Sequence, residues 1–211
     1  MLTLGISTSS GQFALVLGES NKVIFDSNDF KKNDELDDLL LLGLDYCKKN
    51  INEISNIIVD IGPGGTSRVR TGIAFANGIA YTLNIPICPV SSMELAGIDA
   101  WDKYQLPVIS SVKSIKENAY IGFYNNQQLI SIEYGKIENI VPSMVNDIDK
   151  FVIVGFHRDM MMNLPLLKCK IMVDSDMLFG NVRFFVEKSD LFFHRGLLFP
   201  KFAQPITEKT L

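Results

Sequence analysis

The stretch Ile57–Gly72 constrains the fold of this chain most, because a strand, a tight turn and a helix must follow one another there without a break. Four of the five residues Ile57, Ile58, Val59, Asp60 and Ile61 are β-branched, which favours an extended backbone. Gly62-Pro63-Gly64-Gly65 then supplies the turn, and Thr66 or Ser67 is placed to cap a helix. A helix N-terminus behind such a turn can bind an anion through its unpaired N–H groups. The nucleotide-loop patterns are incomplete, however. Gly72 is followed by Ile73 and Ala74 where a P-loop needs Lys and a hydroxyl residue, and no glycine between Gly65 and Gly72 completes G-x-G-x-x-G. Two readings of Gly62, Pro63, Gly64, Gly65, Thr66 and Ser67 therefore stay open: an anion site, or a turn that launches a packed helix.

No charge occurs between Arg70 and Glu94, and Val69, Ile73, Ala76, Ala80 and Leu83 recur at the spacing of one helical face. The helix is expected to end near Leu83-Asn84 and to be followed by a strand over Ile85–Val90. Asn77, Asn84, Pro86 and Pro89 interrupt the stretch well before the ~20 apolar residues of a membrane span. Gly72, Ala76 and Ala80 form a strip of small side chains that lets another helix approach closely.

Composition narrows the class. The 211 residues are 47% hydrophobic and 21% charged, enough for one large or two small domains with ample core. A net charge of −4 argues against a nucleic-acid surface of the chain's own, since phosphate binding draws on clustered Lys and Arg. Cys47, Cys88 and Cys169 are widely spaced and form no C-x-x-C pair, so neither a disulfide framework nor a zinc site is indicated. The expected compartment is the reducing cytoplasm, and the N-terminus Met1-Leu2-Thr3-Leu4-Gly5 lacks the basic region of a secretory signal.

Opening strands are expected at about 2 to 7, 12 to 17 and 22 to 26, with Gly11 and Glu19-Ser20-Asn21 as turns. A helix over Asp34 to Asn50 precedes the strand–turn–helix. In the second half, 107–111, 119–124, 128–134, 151–156 and 170–173 read as strands, Asn125-Asn126 as a turn, and Asp176 to Lys188 as a helix. On the helix over 34–50, Leu36, Leu39, Leu40, Leu44, Tyr46 and Cys47 share one broad face, whereas Leu41 and Leu42 project from the opposite side beside Asp38 and Asp45. Two exposed leucines need no explanation, but beside the small-residue helix they can contribute to an apolar patch for a partner.

Several of these segments resemble a known family. Gly62-Pro63-Gly64, the hydroxyl at Ser67, Arg70 and Gly72 resemble its signature GPGSFTGxRxG; Leu4-Gly5-Ile6-Ser7-Thr8-Ser9 is similar to its opening strand LxIDTS; and Val90-Ser91-Ser92-Met93-Glu94-Leu95-Ala96 is similar to its VSSLxxLA segment. The family is TsaB (YeaZ), and the resemblance covers residues 1 to about 125. Gly65-Thr66-Ser67-Arg68 stands for Ser-Phe-Thr-Gly, Ser7 replaces the Asp of the opening strand, and Lys113-Ser114-Ile115 stands for a common Asp-Ala-Arg triplet. Pro200-Lys201-Phe202-Ala203-Gln204-Pro205 is a faded Pro-x-Tyr-x-Arg segment.

The resemblance implies an α/β fold of two RNase-H-like lobes, the kind shared by sugar kinases, actin and Hsp70 (ASKHA), with the second lobe reduced. The β-β-β-α-β-α order of the first half agrees with it. The lobes are expected at 1–105 and 106–211, with the tail packing back on the first. The resemblance further implies a non-catalytic subunit that supports TsaD in threonylcarbamoyl transfer to adenosine 37 of tRNAs reading ANN codons, with the ATPase TsaE as third member and a homodimer in isolation. The tRNA would be met only indirectly, and no membrane is involved. Leu41, Leu42, Asp38, Asp45, Val69, Arg70, Gly72, Ile73, Ala76 and Ala80 are the expected partner interface.

Residues suited to catalysis are sparse. His157 and His194 belong to no close ligand pattern, and Asp174 and Asp176 suit helix capping better than a metal, so no catalytic residue, metal or cofactor is expected. ATP is expected only at a surface shared with partners. A small kinase or ATPase of the same superfold is the alternative, and it calls for a carboxylate near Ser7, which is absent. A peptidase of glycoprotease type is the weaker alternative, and it calls for a nucleophile–base pair or a metal-ligand set that the sequence does not show.

Overall fold

A computed structural model of the chain describes residues 1–30, 35–115, 117–146, 148–164, 170–194 and 202–211. The first half runs β1 (Leu2–Ser7), β2 (Ala14–Glu19), β3 (Lys22–Asp26), α1 (Leu36–Cys47), β4 (Ile54–Asp60), α2 (Thr66–Leu83) and β5 (Ile87–Val90). The second runs α3 (Ser92–Tyr104), β6 (Val108–Lys113), β7 (Asn118–Asn125), β8 (Gln128–Lys136), α4 (Ile137–Met144), β9 (Lys150–Gly155), α5 (Arg158–Met162) and β10 (Lys170–Val173), and closes with α6 (Phe184–Glu187) and α7 (Ser189–Phe193). Two units result, Met1–Ser91 with Val182–Pro205, and Ser92–Asn181 with Ile206–Leu211.

In the first unit, β1 to β3 form an antiparallel meander, and β4 and β5 add in parallel beside β1, giving the order β3-β2-β1-β4-β5. Ser20 and Asn21 both have positive φ, the requirement of a two-residue hairpin turn whose twist matches the strands. Strand alternation sends Leu4, Ile6, Leu15, Leu17, Ile57 and Val59 into one core with Leu36, Leu39, Leu40 and Leu44 of α1 and Val69, Ile73, Ala76 and Ala80 of α2. On the other face Phe185 lies against Gly5 and Val186 against Gly18, with Phe192 edge-on to Phe185.

The second unit repeats this order as β8-β7-β6-β9-β10: β6 to β8 are antiparallel, and β9 and β10 join in parallel beside β6. Its hairpin turn, Asn126-Gln127, again has two positive φ values, one residue later than the sequence suggests. α3 keeps 13 residues, but the other two helices here are short. α4 has 8 residues and α5 has 5, against 12 for α1 and 18 for α2. Ile109, Ile121, Ile137, Val141, Phe151, Ile153 and Met161 form the core of this unit.

The α/β class and the paired lobes with a reduced second member agree with the sequence reading, and the differences are local. The units divide between Ser91 and Ser92 rather than at 105, because α3 packs on β6, β7 and β8 of the second sheet. The segment 176–183 is not helical; Gly180 lies against the backbone of Leu95 and Ala96, and the Asn181 N–H donates to Asp99, so it crosses α3 in irregular form. Only 184–187 and 189–193 coil there. β5 starts at Ile87 because Asn84, in the left-handed region, ends α2, and the Ile85 N–H still bonds to Ala80. Asp34, Cys169, Pro200 and Lys201 lie outside the described residues.

Phe185 is fully buried on the α6 face of the first sheet. Its replacement by Ala is expected to lower the unfolding free energy by about 3–5 kcal/mol in urea titrations.

Candidate functional site

The turn after β4 is tied together by a carboxylate. β1 and β4 are parallel with Ile6 opposite Val59, so Ser7 and Asp60 come side by side at the ends of their strands. The Ser7 hydroxyl donates to Asp60 Oδ2 at 2.7 Å, the Ser9 hydroxyl donates to the same oxygen, and the Gly62 N–H donates to Oδ1 at 2.8 Å. Asp60 is 1% exposed. Burial pushes its pKa up, against the lowering effect of the hydrogen bonds from Ser9, Ser7 and Gly62.

Neighbouring contacts extend this cluster into α2. The Thr8 hydroxyl donates to the Arg68 carbonyl at 2.8 Å, and Ser91 donates to the Gly62 carbonyl at 3.1 Å. Gly64 and Gly72 are required by packing: a Cβ would lie 2.6 Å from Ser9 Cβ at the first and 2.6 Å from the Thr8 hydroxyl at the second. Gly62 and Pro63 are buried, whereas Gly65, Thr66 and Ser67 are exposed. Gly65 holds the N-cap position of α2 and gives no side-chain cap, so neither Thr66 nor Ser67 acts as one.

The structure redraws the faces of α1 and α2. Leu41 is 66% exposed, flanked by exposed Asp38 and Asp45, but Leu42 is half-buried and packs on the core. Tyr46, expected on the core face, is 62% exposed and rests edge-on against Phe30. On α2, Arg70 is exposed, whereas Val69, Gly72, Ile73, Ala76 and Ala80 are buried and face the sheet. Their small size brings α2 close to its own sheet and to Thr8. The outward face is instead Arg70, Thr71, Ala74, Gly78 and Tyr81, the last 77% exposed. Gly78 has open space where its side chain would be. Sequence periodicity found the inner stripe, and its complement on the same helix carries the outer one.

Residues 34–164 match the family model of TsaD, tRNA N6-adenosine threonylcarbamoyltransferase. The chain is 28% identical over 147 residues to the tRNA threonylcarbamoyladenosine biosynthesis protein TsaB of Bacillus subtilis, an alignment that takes in 67% of this chain and 60% of that protein. The chain belongs to the TsaB (YeaZ) group of the TsaD family. A shorter match, 34% identical over 64 residues, joins it to the tRNA N6-adenosine threonylcarbamoyltransferase of Clostridioides difficile, covering 30% of this chain and 19% of that one. In fold it is similar to the solved YeaZ of Pseudomonas aeruginosa, with a TM-score of 0.79 at 16% identity over 98% of this chain and 99% of that chain.

The kinase or ATPase alternative turns on a carboxylate near Ser7. A carboxylate does stand beside Ser7, contrary to the sequence reading, but it comes from the neighbouring strand, far off in sequence. The residues do not fit a Mg-nucleotide: Asp60 is buried with both oxygens engaged, and the hydroxyls of Ser7, Thr8 and Ser9 all point inward. An acid inside the β-branched run, two residues before Gly-Pro, was the signal available in the sequence.

The remaining polar groups sit apart from this cluster in the sequence and serve their own surroundings. The His157 N–H donates to the Ser111 hydroxyl, and burial, then the Lys113 charge, holds its imidazole below the usual range. His194 is exposed at the end of α7. Asp174 accepts from Lys103, Tyr104 and the N–H groups of Asp176 and Met177, a turn fixed by one ion pair. Among the described residues no group of three His, Cys, Asp or Glu is placed to hold a metal, and no helix is long and apolar enough to cross a membrane.

Because the folded carboxyl of Asp60 holds its proton more tightly than the unfolded one, its contribution to stability is full at low pH and is lost as pH rises through the folded pKa. Relative to Asp60→Asn, the wild-type chain should therefore gain urea resistance between pH 7 and pH 4.5. Paired urea titrations measure this, and a pH-independent difference between the two proteins would contradict it.

Proposed function

We propose that this chain is a non-catalytic subunit that binds and supports a TsaD-type transferase during threonylcarbamoyl transfer to adenosine 37 of tRNAs reading ANN codons. The observation that carries the reading is the apolar exposure of α1 and α2: Leu41 and Tyr46 of α1 and Tyr81 of α2 stand in solvent, and α2 also leaves Ala74 and Gly78 open. Large exposed side chains beside small ones offer ridges and a groove to a partner's helices. The exposed Arg70 of α2 and the exposed Asp38 and Asp45 of α1 would set the register of pairing.

The match to the TsaD family and the likeness to the Bacillus subtilis TsaB support the pathway. Support of the partner would consist of shifting it toward a competent arrangement, since a subunit that prefers one conformation of its partner raises that conformation's population. A TsaE-like ATPase is the third member of the proposed assembly, and the same α1–α2 face would serve a homodimer in isolation. With a net charge of −4 the chain leaves tRNA contact to its partner, works in the cytoplasm and needs no cofactor of its own. The inward-facing Asp60 cluster supports this against the kinase alternative, and ATP would enter only at a joint surface.

The double variant Leu41→Glu with Gly78→Trp tests the reading. Both positions are exposed in the chain alone, so circular dichroism and urea midpoint should stay unchanged, while association with a TsaD-type subunit weakens at least roughly ten-fold and reconstituted tRNA modification falls with it. Unaltered association would sink the proposal. Isothermal titration of the isolated chain with Mg-ATP should give no micromolar binding.

A further inference from the structure

Asp60 is a buried acid whose hydrogen-bond partners are hydroxyls and an N–H rather than a cation: among the described residues it forms no ion pair, and Ser7, Ser9 and Gly62 donate to it. Those donors come from three segments, the end of β1, the loop behind it and the turn behind β4. Through the same loop, Thr8 reaches the Arg68 carbonyl and seats Gly72, and Ser9 lies on Gly64, so the first turn of α2 is fixed by residues that Asp60 holds in place. Ser7 is itself buried, and its side chain meets that of Asp60 from the neighbouring strand at the same level of the sheet.

We propose that Asp60 is a positioning residue for the start of α2, and that what the site demands is one carboxylate among hydroxyl and N–H donors at this point in space, borne by either strand. Ser7 and Asp60 are then exchangeable as a pair and not singly. Aspartate at 7 with serine at 60 keeps the same atoms in the same pocket, with the hydroxyl now donating from β4 to β1. Serine at both positions leaves the Gly62 N–H without its acceptor, and aspartate at both sets two carboxylates within hydrogen-bond distance in a buried place, where one must stay protonated. The inference concerns how the lobe holds its own helix and does not depend on the partner proposed above.

The experiment uses the full chain as Asp60→Ser, Ser7→Asp, the double exchange Ser7→Asp with Asp60→Ser, and Asp60→Asn. Readouts are urea unfolding and amide hydrogen exchange at Gly62, Arg68 and Val69. Asp60→Ser should raise the unfolding equilibrium constant roughly ten- to hundred-fold and speed exchange at these amides more than in β2 or α7. Ser7→Asp should be similarly weakened at pH 7 and recover on acidification. The double exchange should return to within about three-fold of wild type and restore slow exchange, a coupling that independent sites do not show. Losses in the double exchange equal to the sum of the singles would overturn the proposal, as would unchanged exchange at Arg68 and Val69 in Asp60→Ser. Should the single variants fail to fold, folding of the double exchange supports it, and failure of the double exchange while Asp60→Asn folds rejects it.

Discussion

A carboxylate removed from water needs donors, and meeting the need of Asp60 organises the first unit. Burial disfavours its charge, so the structure brings the hydroxyls of Ser7 and Ser9 and the Gly62 N–H to it. Doing so fixes the loop behind β1 and the turn behind β4 in one arrangement, and α2 follows the direction set there. Gly64 and Gly72 are the steric side of the same constraint, since any side chain would push Ser9 and Thr8 away.

The second unit shows what remains when a lobe keeps its sheet and one long helix, α3, and shortens the two that follow. Both sheets have three antiparallel strands continued by two parallel ones, and both use a two-residue turn with positive φ in the hairpin. Strand order is governed by a core that needs both faces covered, and α4 and α5 still cover one face with Ile137, Val141 and Met161. No repeat is visible in the sequence because hydrophobic alternation fixes only which side of a strand is buried, and many residue choices satisfy it.

The long helices of the first unit are where function resides in the proposed reading. α2 is uncharged beyond Arg70 because one side lies on the sheet, while the other carries Ala74, Gly78 and Tyr81 rather than the usual charges. A helix polar on its outer face would be adequately solvated. Beyond Arg70 this one carries no charge there, and α1 adds the exposed Leu41 and Tyr46.

Local sequence carried much of this. The β-branched run Ile57–Ile61, the Gly-Pro-Gly-Gly turn, the 3.6-residue period of Val69, Ile73, Ala76 and Ala80 and the three opening strands each express short-range physics, namely backbone sterics and the alternation of burial. The α/β class and the paired lobes followed from their order and from the family resemblance. Periodicity finds a helix's apolar stripe but cannot say whether it meets a sheet or another protein, which is why Gly72, Ala76 and Ala80 proved to be core. Nor can it see that position 60 lies beside position 7, because that closeness exists only once β4 has paired with β1. Short-range pattern reached the strands of both sheets and the helices around the Gly-Pro turn; the outward helix faces, the irregular course of 176–183 and the donors of the buried carboxylate came from the fold, since all depend on contacts between residues far apart in the chain.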